Sequence, residues 1–446
     1  MVYLNRKLFL VTCTVVLLAL GSISFNVGAQ GAVPDAVVST SLLRIRVSPA
    51  RNAEIVATVP KGTAITLTGR NQSITWVFGK ADTGATGWMS LPYLALRKTL
   101  NARTLPVLDP NTTAAGGGAA PAAAAGEPTT SAPEAPVVSG SISGSFELGG
   151  QVSGLDGNAV SAMKRAGMHW AKFQVGVGDN SGAAFIQQAH ANGFKALLSV
   201  KGDKNSVLNP GYFNQYAGYV GTLAGQGADA IEVWNEANLD REWPNGQISP
   251  VTYTNLLATA YNAIKKNNRN TIVIIGAPSP TGGAPGGKSA AFWNDDVFYA
   301  GLGAAGAGRY ADCVGVHYNE GIVSPSQNSG GWISYPTNYF SPMLARALAA
   351  FPGKKACFTE LGYVTSEGYP SLPANFGWAK NVTVAQQAAW LAQAAVKASA
   401  SGRVRMMIVW NVNFNYYSAD DPQGGYGIIR PNGSCPACDT LGRVAR

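Results

Sequence analysis

The feature that most constrains the fold is a recurrence. Between residue 146 and residue 414 the chain returns eight times to a short apolar run: "FELGGQV" (146–152), "HWAKFQVGV" (169–177), "FKALLSVKG" (194–202), "AIEVWNE" (230–236), "TIVIIGAP" (271–278), "CVGVHYN" (313–319), "KACFTELG" (355–362) and "VRMMIVWNVNF" (404–414). Runs of this length with polar or glycine boundaries read as buried strands. Helical patterns separate them. In "SPVTYTNLLATAYNAIKKNN", Ser249 is placed as N-cap and Pro250 as the first helical residue, and Leu256, Leu257, Ala260, Tyr261 and Ile264 make one apolar stripe. "TVAQQAAWLAQAAVKASASG" opens with Thr383 and Gln386 at capping-box spacing and stops at Gly402. Eight strands alternating with helices predict an α/β fold, a (β/α)8 TIM barrel over 143–446. A doubly wound open sheet would want a glycine-rich phosphate loop after an early strand, and "GVGDNSG" is a poor match to one.

Three segments precede the expected barrel. Residues 101–142 are almost entirely Ala, Gly, Pro, Ser and Thr, a composition that buries too little apolar area to fold, so they read as a disordered linker. Residues 36–100 form a short module. "LLRIRV" alternates Leu43, Ile45 and Val47 against Arg44 and Arg46, a turn is expected at Pro60–Gly62, and Ile65 and Leu67 alternate with threonines. Several short strands with turn signals suggest a small all-β barrel. Leu43 to Pro49, Pro60 to Thr63, and Gly87, Trp88, Met89, Tyr93 and Leu94 together resemble the bacterial SH3-like modules. Such a resemblance implies wall binding or protein binding, and a plain spacer is the competing reading. Residues 1–29 carry Arg6 and Lys7, then an apolar stretch, then small residues before a cut after Ala29, the pattern of a secretory signal peptide.

These readings imply an exported protein, extracellular or associated with the cell wall, and away from the membrane once the leader is cut. Hydrophobic residues make up 46% and charged residues 13%, which supplies a large core and argues against overall disorder. The net charge of +9 suits retention on acidic wall polymers. No basic run with interleaved aromatics is present, so no nucleic-acid partner is expected. Cys313, Cys357, Cys435 and Cys438 remain after export and are available for disulfides, with "CPAC" able to close a small loop. With three histidines in the chain, no metal site is expected, and no cofactor.

The chemistry is expected where the strands end. A TIM barrel builds its active site at the C-terminal ends of its strands, and two of the runs end in a glutamate, Glu236 on the fourth and Glu360 on the seventh. Two carboxylates across a cleft are what glycosidic bond cleavage requires, one protonated to donate to the leaving oxygen and one ionised. "EVWNEANLDREW" resembles the fourth-strand motif of the clan A glycoside hydrolases and "FTELGY" their seventh-strand motif, with wording closest to family thirty-nine-like and family five-like enzymes. The resemblance spans roughly 145–446. It implies Asn235 as ligand of a sugar 2-hydroxyl, Glu236 as acid/base and Glu360 as nucleophile. His317 and Tyr318 are candidates for a hydrogen bond to Glu360, and Trp410 for a sugar platform. Lys172 stands where relatives often carry Arg, and Trp234 and Trp243 are candidates for outer subsites. Glu232 is expected to be paired inside the barrel, and Asp295 and Asp296 to cap a helix. The function expected is a secreted retaining glycoside hydrolase acting on a β-linked polysaccharide or oligosaccharide. The alternatives are a wall-associated carbohydrate-binding protein without catalysis and a peptidoglycan-cleaving enzyme.

Overall fold

The structure is a computed structural model. It describes residues 34–108 and 138–446, apart from positions 40, 41, 51, 52, 54, 73, 98, 332, 334 and 419. The expected signal peptide and most of the expected linker lie outside the described residues. The chain divides into two compact units.

The smaller unit is a seven-stranded sheet: β1 (Ala36–Val38), β2 (Leu42–Arg46), β3 (Ile55–Pro60), β4 (Ala64–Arg70), β5 (Trp76–Ala81), β6 (Thr86–Ser90) and β7 (Leu94–Leu96), in the order β3-β2-β6-β5-β4-β1-β7. β4 pairs antiparallel with β1 and β5, and β5 with β6. Leu43, Ile45, Ile65, Leu67 and Met89 fill one core, as their alternation predicts. Val47 does not join them. It lies beyond the end of β2 and is exposed. Gly62 makes the turn between β3 and β4 at φ 92°, a conformation that favours glycine. Within the stretch read as linker, Ala102–Thr104 form a 3-10 helix and residues 106–108 pair beside β4: Arg70 N donates to Pro106 O and Leu108 N to Arg70 O, both at 2.9 Å. Leu108 packs on Trp76, Phe78 and Trp88.

The larger unit is a closed barrel of eight parallel strands: β8 (Glu147–Gln151), β9 (Trp170–Gly176), β10 (Lys195–Lys201), β11 (Ala230–Val233), β12 (Ile272–Ile275), β13 (Cys313–Tyr318), β14 (Ala356–Leu361) and β15 (Val404–Val409). Each strand lies between its neighbours in the chain, and β15 returns to β8 through Met406–Glu147 and Val409–Gly150. β11 to β14 are buried at every residue, because helices cover one face and the barrel interior the other. Parity divides the faces. Trp170, Leu197, Ala230, Ile274, Cys313, Cys357, Met406 and Ile408 pack together inside the barrel, while Ile231, Val233, Val314 and Val316 face the helices. A disulfide joins Cys313 to Cys357 in the inner layer, and a second closes Cys435–Cys438.

The helix Pro250–Asn267 is capped by Ser249, which accepts from Thr252 N at 3.2 Å, and the helix Val384–Ala400 carries the expected capping box of Thr383 and Gln386. Neither Asp295 nor Asp296 is the N-cap residue, which is Asn294, although Asp296 Oδ1 accepts from Val297 N at 2.8 Å. Both aspartates lie in the first turn of Asp295–Ala304, where Asp295 is buried and receives both guanidinium arms of Arg346 at 2.7–3.0 Å. Three helix tyrosines stitch to the strands. Tyr216 OH donates to Val200 O, Tyr253 OH to Val233 O and Tyr299 OH to Gly315 O, at 2.7–2.9 Å. Burial pushes all three phenols well above their ordinary value, so they stay protonated donors.

Candidate active site

β11 stops at Val233, three residues before Glu236, because Trp234 adopts φ 70°. A bulky side chain in the left-handed region is an outlier that its surroundings must hold in place. Tyr216 OH accepts from Trp234 N at 2.8 Å while donating to Val200 O, and the indole donates to Glu242 O at 3.3 Å. The turn has a consequence for direction. Ala230 and Glu232 face the barrel interior, so continued alternation would point Trp234 inward. Instead its ring packs outward between Tyr216 and Trp243. Asn235 and Glu236 are thereby left at the mouth, 6% and 5% exposed.

β14 breaks parity in another way. Its register against β13 shifts between Val316/Phe358 and His317/Glu360. Cys357 and Glu360, three positions apart, therefore both serve the interior. A bulge beside a site is a known means of re-aiming a side chain.

The two glutamates meet at one imidazole. His317 Nδ1 lies 3.1 Å from Glu236 Oε1 and 3.6 Å from Glu360 Oε2. Glu360 Oε1 is 3.3 Å from Lys172 Nζ, and Asn319 Nδ2 donates to Glu360 Oε2 at 3.0 Å. Lys172 is fully buried. It also donates to Thr359 O at 3.1 Å and pairs with Glu232 Oε2 at 3.1 Å. Glu232 is thus paired inside the barrel, as expected. Burial alone would push the Glu360 carboxyl up. The fields of His317 and Lys172 and the hydrogen bonds from Asn319 and Lys172 outweigh it, and the carboxyl sits below its ordinary 4.5. Burial holds His317 below its ordinary 6.5 despite Glu360 and Glu232. Near neutral pH the imidazole is therefore uncharged, and Lys172 with Asn319 keeps Glu360 ionised.

Asn235 Nδ2 reaches Glu242 Oε1 at 3.4 Å, and Glu242 is paired with Lys201 at 2.7 Å. Asn235 Oδ1, Asn319 Oδ1 and His317 Nε2 are buried without a hydrogen-bond partner among the described residues. Orphaned polar atoms clustered beside two carboxylates suit a ligand rich in hydroxyl groups. Trp410 follows β15 with a partly buried ring, edge-on to Phe414 at 5.1 Å, and is joined to Asn411 by a cis peptide bond. No group of His, Cys, Asp and Glu able to hold a metal ion occurs among the described residues.

Three sequence-predicted site residues are not in the site. Tyr318 faces the helix layer, as its alternation with His317 requires, and its hydroxyl donates to Asn338 O at 3.2 Å rather than to Glu360. Trp234 is fully buried between two aromatic rings and has no face to offer a sugar. Trp243 is likewise core, with its indole donating to Gln247 O. Conversely Asn319, Arg241 and Glu242 belong to the site and were not singled out, although all three lie inside or beside the quoted motifs. Arg241 forms an ion pair with Glu236 Oε2.

No family model matches the chain, and no curated protein matches it. Solved structures do. A family 39 glycoside hydrolase from Bacteroides cellulosilyticus WH2 is similar at 16% identity and a TM-score of 0.49, over 92% of this chain and 77% of that one. A glucosidase from Croceicoccus marinus is similar at 12% identity and a TM-score of 0.47, over 69% and 68%. An endo-1,4-beta-mannanase from Rhizomucor miehei is similar at 14% identity and a TM-score of 0.45, over 71% and 98%.

Proposed function

We propose that the protein is an exported retaining glycoside hydrolase that cleaves β-linked polysaccharide or oligosaccharide by double displacement. One observation carries the reading: two enclosed carboxylates, from different strand ends, converge on His317 Nδ1 at 3.1 and 3.6 Å. Laid end to end, those distances cap the gap between the two facing oxygens and accommodate the roughly 5–5.5 Å of retaining pairs.

In the first step Glu360, held ionised by Lys172 and Asn319, attacks the anomeric carbon. The glycosidic bond breaks, and Glu236 gives its proton to the departing oxygen. In the second step Glu236, now a carboxylate, takes a proton from water. That water displaces Glu360 and regenerates both groups. Asn235 Oδ1 accepts from a sugar hydroxyl, and the Trp410 indole stacks under the apolar face of the reacting sugar. Two disulfides support folding in an oxidising compartment, which agrees with removal of residues 1–29 as a leader. The seven-stranded sheet is read as an SH3-like module that holds the enzyme to a wall polymer or a protein.

The test uses aryl β-glycosides with good leaving groups. Glu236→Gln should form the glycosyl-enzyme and turn it over slowly, since nothing activates water. Azide needs no base, so it should restore turnover of this variant and yield the β-glycosyl azide. A β-glycosyl azide from Glu360→Gln, with an α-glycosyl azide from Glu236→Gln, would reverse the two roles. Unchanged rates in both variants would place catalysis outside the pair, and no hydrolysis by the wild type would leave a carbohydrate-binding barrel.

A further inference from the structure

One cation at the two glutamates is unused by the steps above. Arg241 lies five residues beyond Glu236 and pairs with its Oε2. That partnership is at odds with the first step. The acid must carry a proton when the glycosidic bond breaks, yet a guanidinium beside it favours the carboxylate.

Arg241 also differs in kind from Lys172. Lys172 is enclosed and fixed by Thr359, Glu232 and Glu360. The Arg241 side chain keeps 64% of its exposure, and Glu236 is its one ionic partner among the described residues. It is able to leave, and an anion would draw it away. The neighbouring cations are occupied elsewhere: Lys201 pairs with Glu242, and Lys204 donates to Asp240 O at 2.9 Å. The acid/base faces the leaving group, so the anion that Arg241 meets belongs to the sugar on that side of the scissile bond.

We infer that Arg241 makes the site selective for sugars bearing an anionic substituent, a carboxylate or a sulfate, on the leaving-group side. This rests on the glycosidase reading of Glu236 and Glu360. The planar fork of a guanidinium matches either anion in a bidentate way. When it turns from Glu236 to the substrate, Glu236 loses its counter-charge and takes a proton from solvent. Recognition of the anion and arming of the acid are then one event. A neutral sugar leaves Arg241 on Glu236 and the acid ionised.

The experiment uses the full chain and β-linked disaccharides in gluco, manno and galacto configuration. In each set the leaving-group sugar carries an alcohol, a carboxylate or a sulfate at its 6-position. Wild type should favour one anionic set over the neutral one by tenfold or more in kcat/KM, and which set wins distinguishes carboxylate from sulfate. Arg241→Gln should slow the anionic substrates and speed the neutral ones, because the acid is no longer held ionised. Equal rates on neutral and anionic substrates, or a proportionate loss on both in the variant, overturns the inference. Calorimetric binding of the same sugars to Glu360→Gln, with and without Arg241→Gln, separates the two claims. Arg241-dependent preference for the anion without any cleavage by wild type sinks the glycosidase reading and leaves the selectivity standing. Cleavage without that preference does the reverse.

Discussion

Lys172 is the residue on which the nucleophile depends. It is enclosed with Glu232 and Glu360 at 3.1 and 3.3 Å. Removing one partner from a buried ionic group strands the others and costs about 3–5 kcal/mol. Lys172→Met is therefore expected to lower stability by that order in urea melts. It should also move the acid limb of kcat/KM to higher pH, because Glu360 keeps the field of His317 but loses that of Lys172, and both hold it below 4.5. The sign for folding is the same. A depressed carboxyl contributes stability above its unfolded pKa, and that contribution is lost as pH falls through the folded value. An acid limb that stays in place in the variant would show that Lys172 does not hold Glu360 ionised. At this scale the sequence was partly legible. Glu236, Glu360, Asn235 and Lys172 were found from strand ends and motif wording. His317 and Tyr318 were offered together, but neighbours on a strand point to opposite faces, so only one of them can face the interior. Asn319 and Arg241 are loop residues, and their aim depends on tertiary packing that no periodicity reports.

At the scale of elements, the site exists because two strands end irregularly. Left-handed Trp234 ends β11, and a register shift re-aims Glu360 on β14. Neither departure is visible in an apolar run, whose pattern carries a period but no bulges. The reading of Trp234 as a subsite failed for this reason: alternation pointed it inward and its φ turned it out. The seat of Trp234 is tight. A Cβ at Gly202, just past β10, would overlap the indole ring. Gly202→Ala should then displace the ring and cost about 1–3 kcal/mol through overpacking. Since Asn235 and Glu236 follow that ring, kcat should fall more than KM rises. A variant with lower melting temperature but wild-type kcat would show that the Trp234 turn supports the fold and not the site.

Across the whole molecule, the barrel was the most legible level. All eight runs became strands, because burial on both faces makes them continuous, and helices with clear caps separate them. The edges of the linker were less so. Composition marks what cannot fold alone, yet 106–108 pairs along Arg70, and Ile142 N donates to Val444 O at 2.7 Å. The disulfides were open in the sequence because pairing follows from which strands adjoin, and β13 beside β14 brings Cys313 to Cys357. The architecture gathers its functional groups at one rim, and the central claim is that Glu360 there becomes covalently attached to sugar. The most direct measurement is intact-protein and peptide mass spectrometry after incubation with 2-deoxy-2-fluoro β-glycosides, which carry good leaving groups and give long-lived intermediates. The account predicts one added glycosyl group per chain, on the peptide containing Glu360, absent from Glu360→Gln and retained in Glu236→Gln. Sugar attached to Glu236, or no adduct with any member of a gluco, manno, galacto and xylo panel, would contradict it.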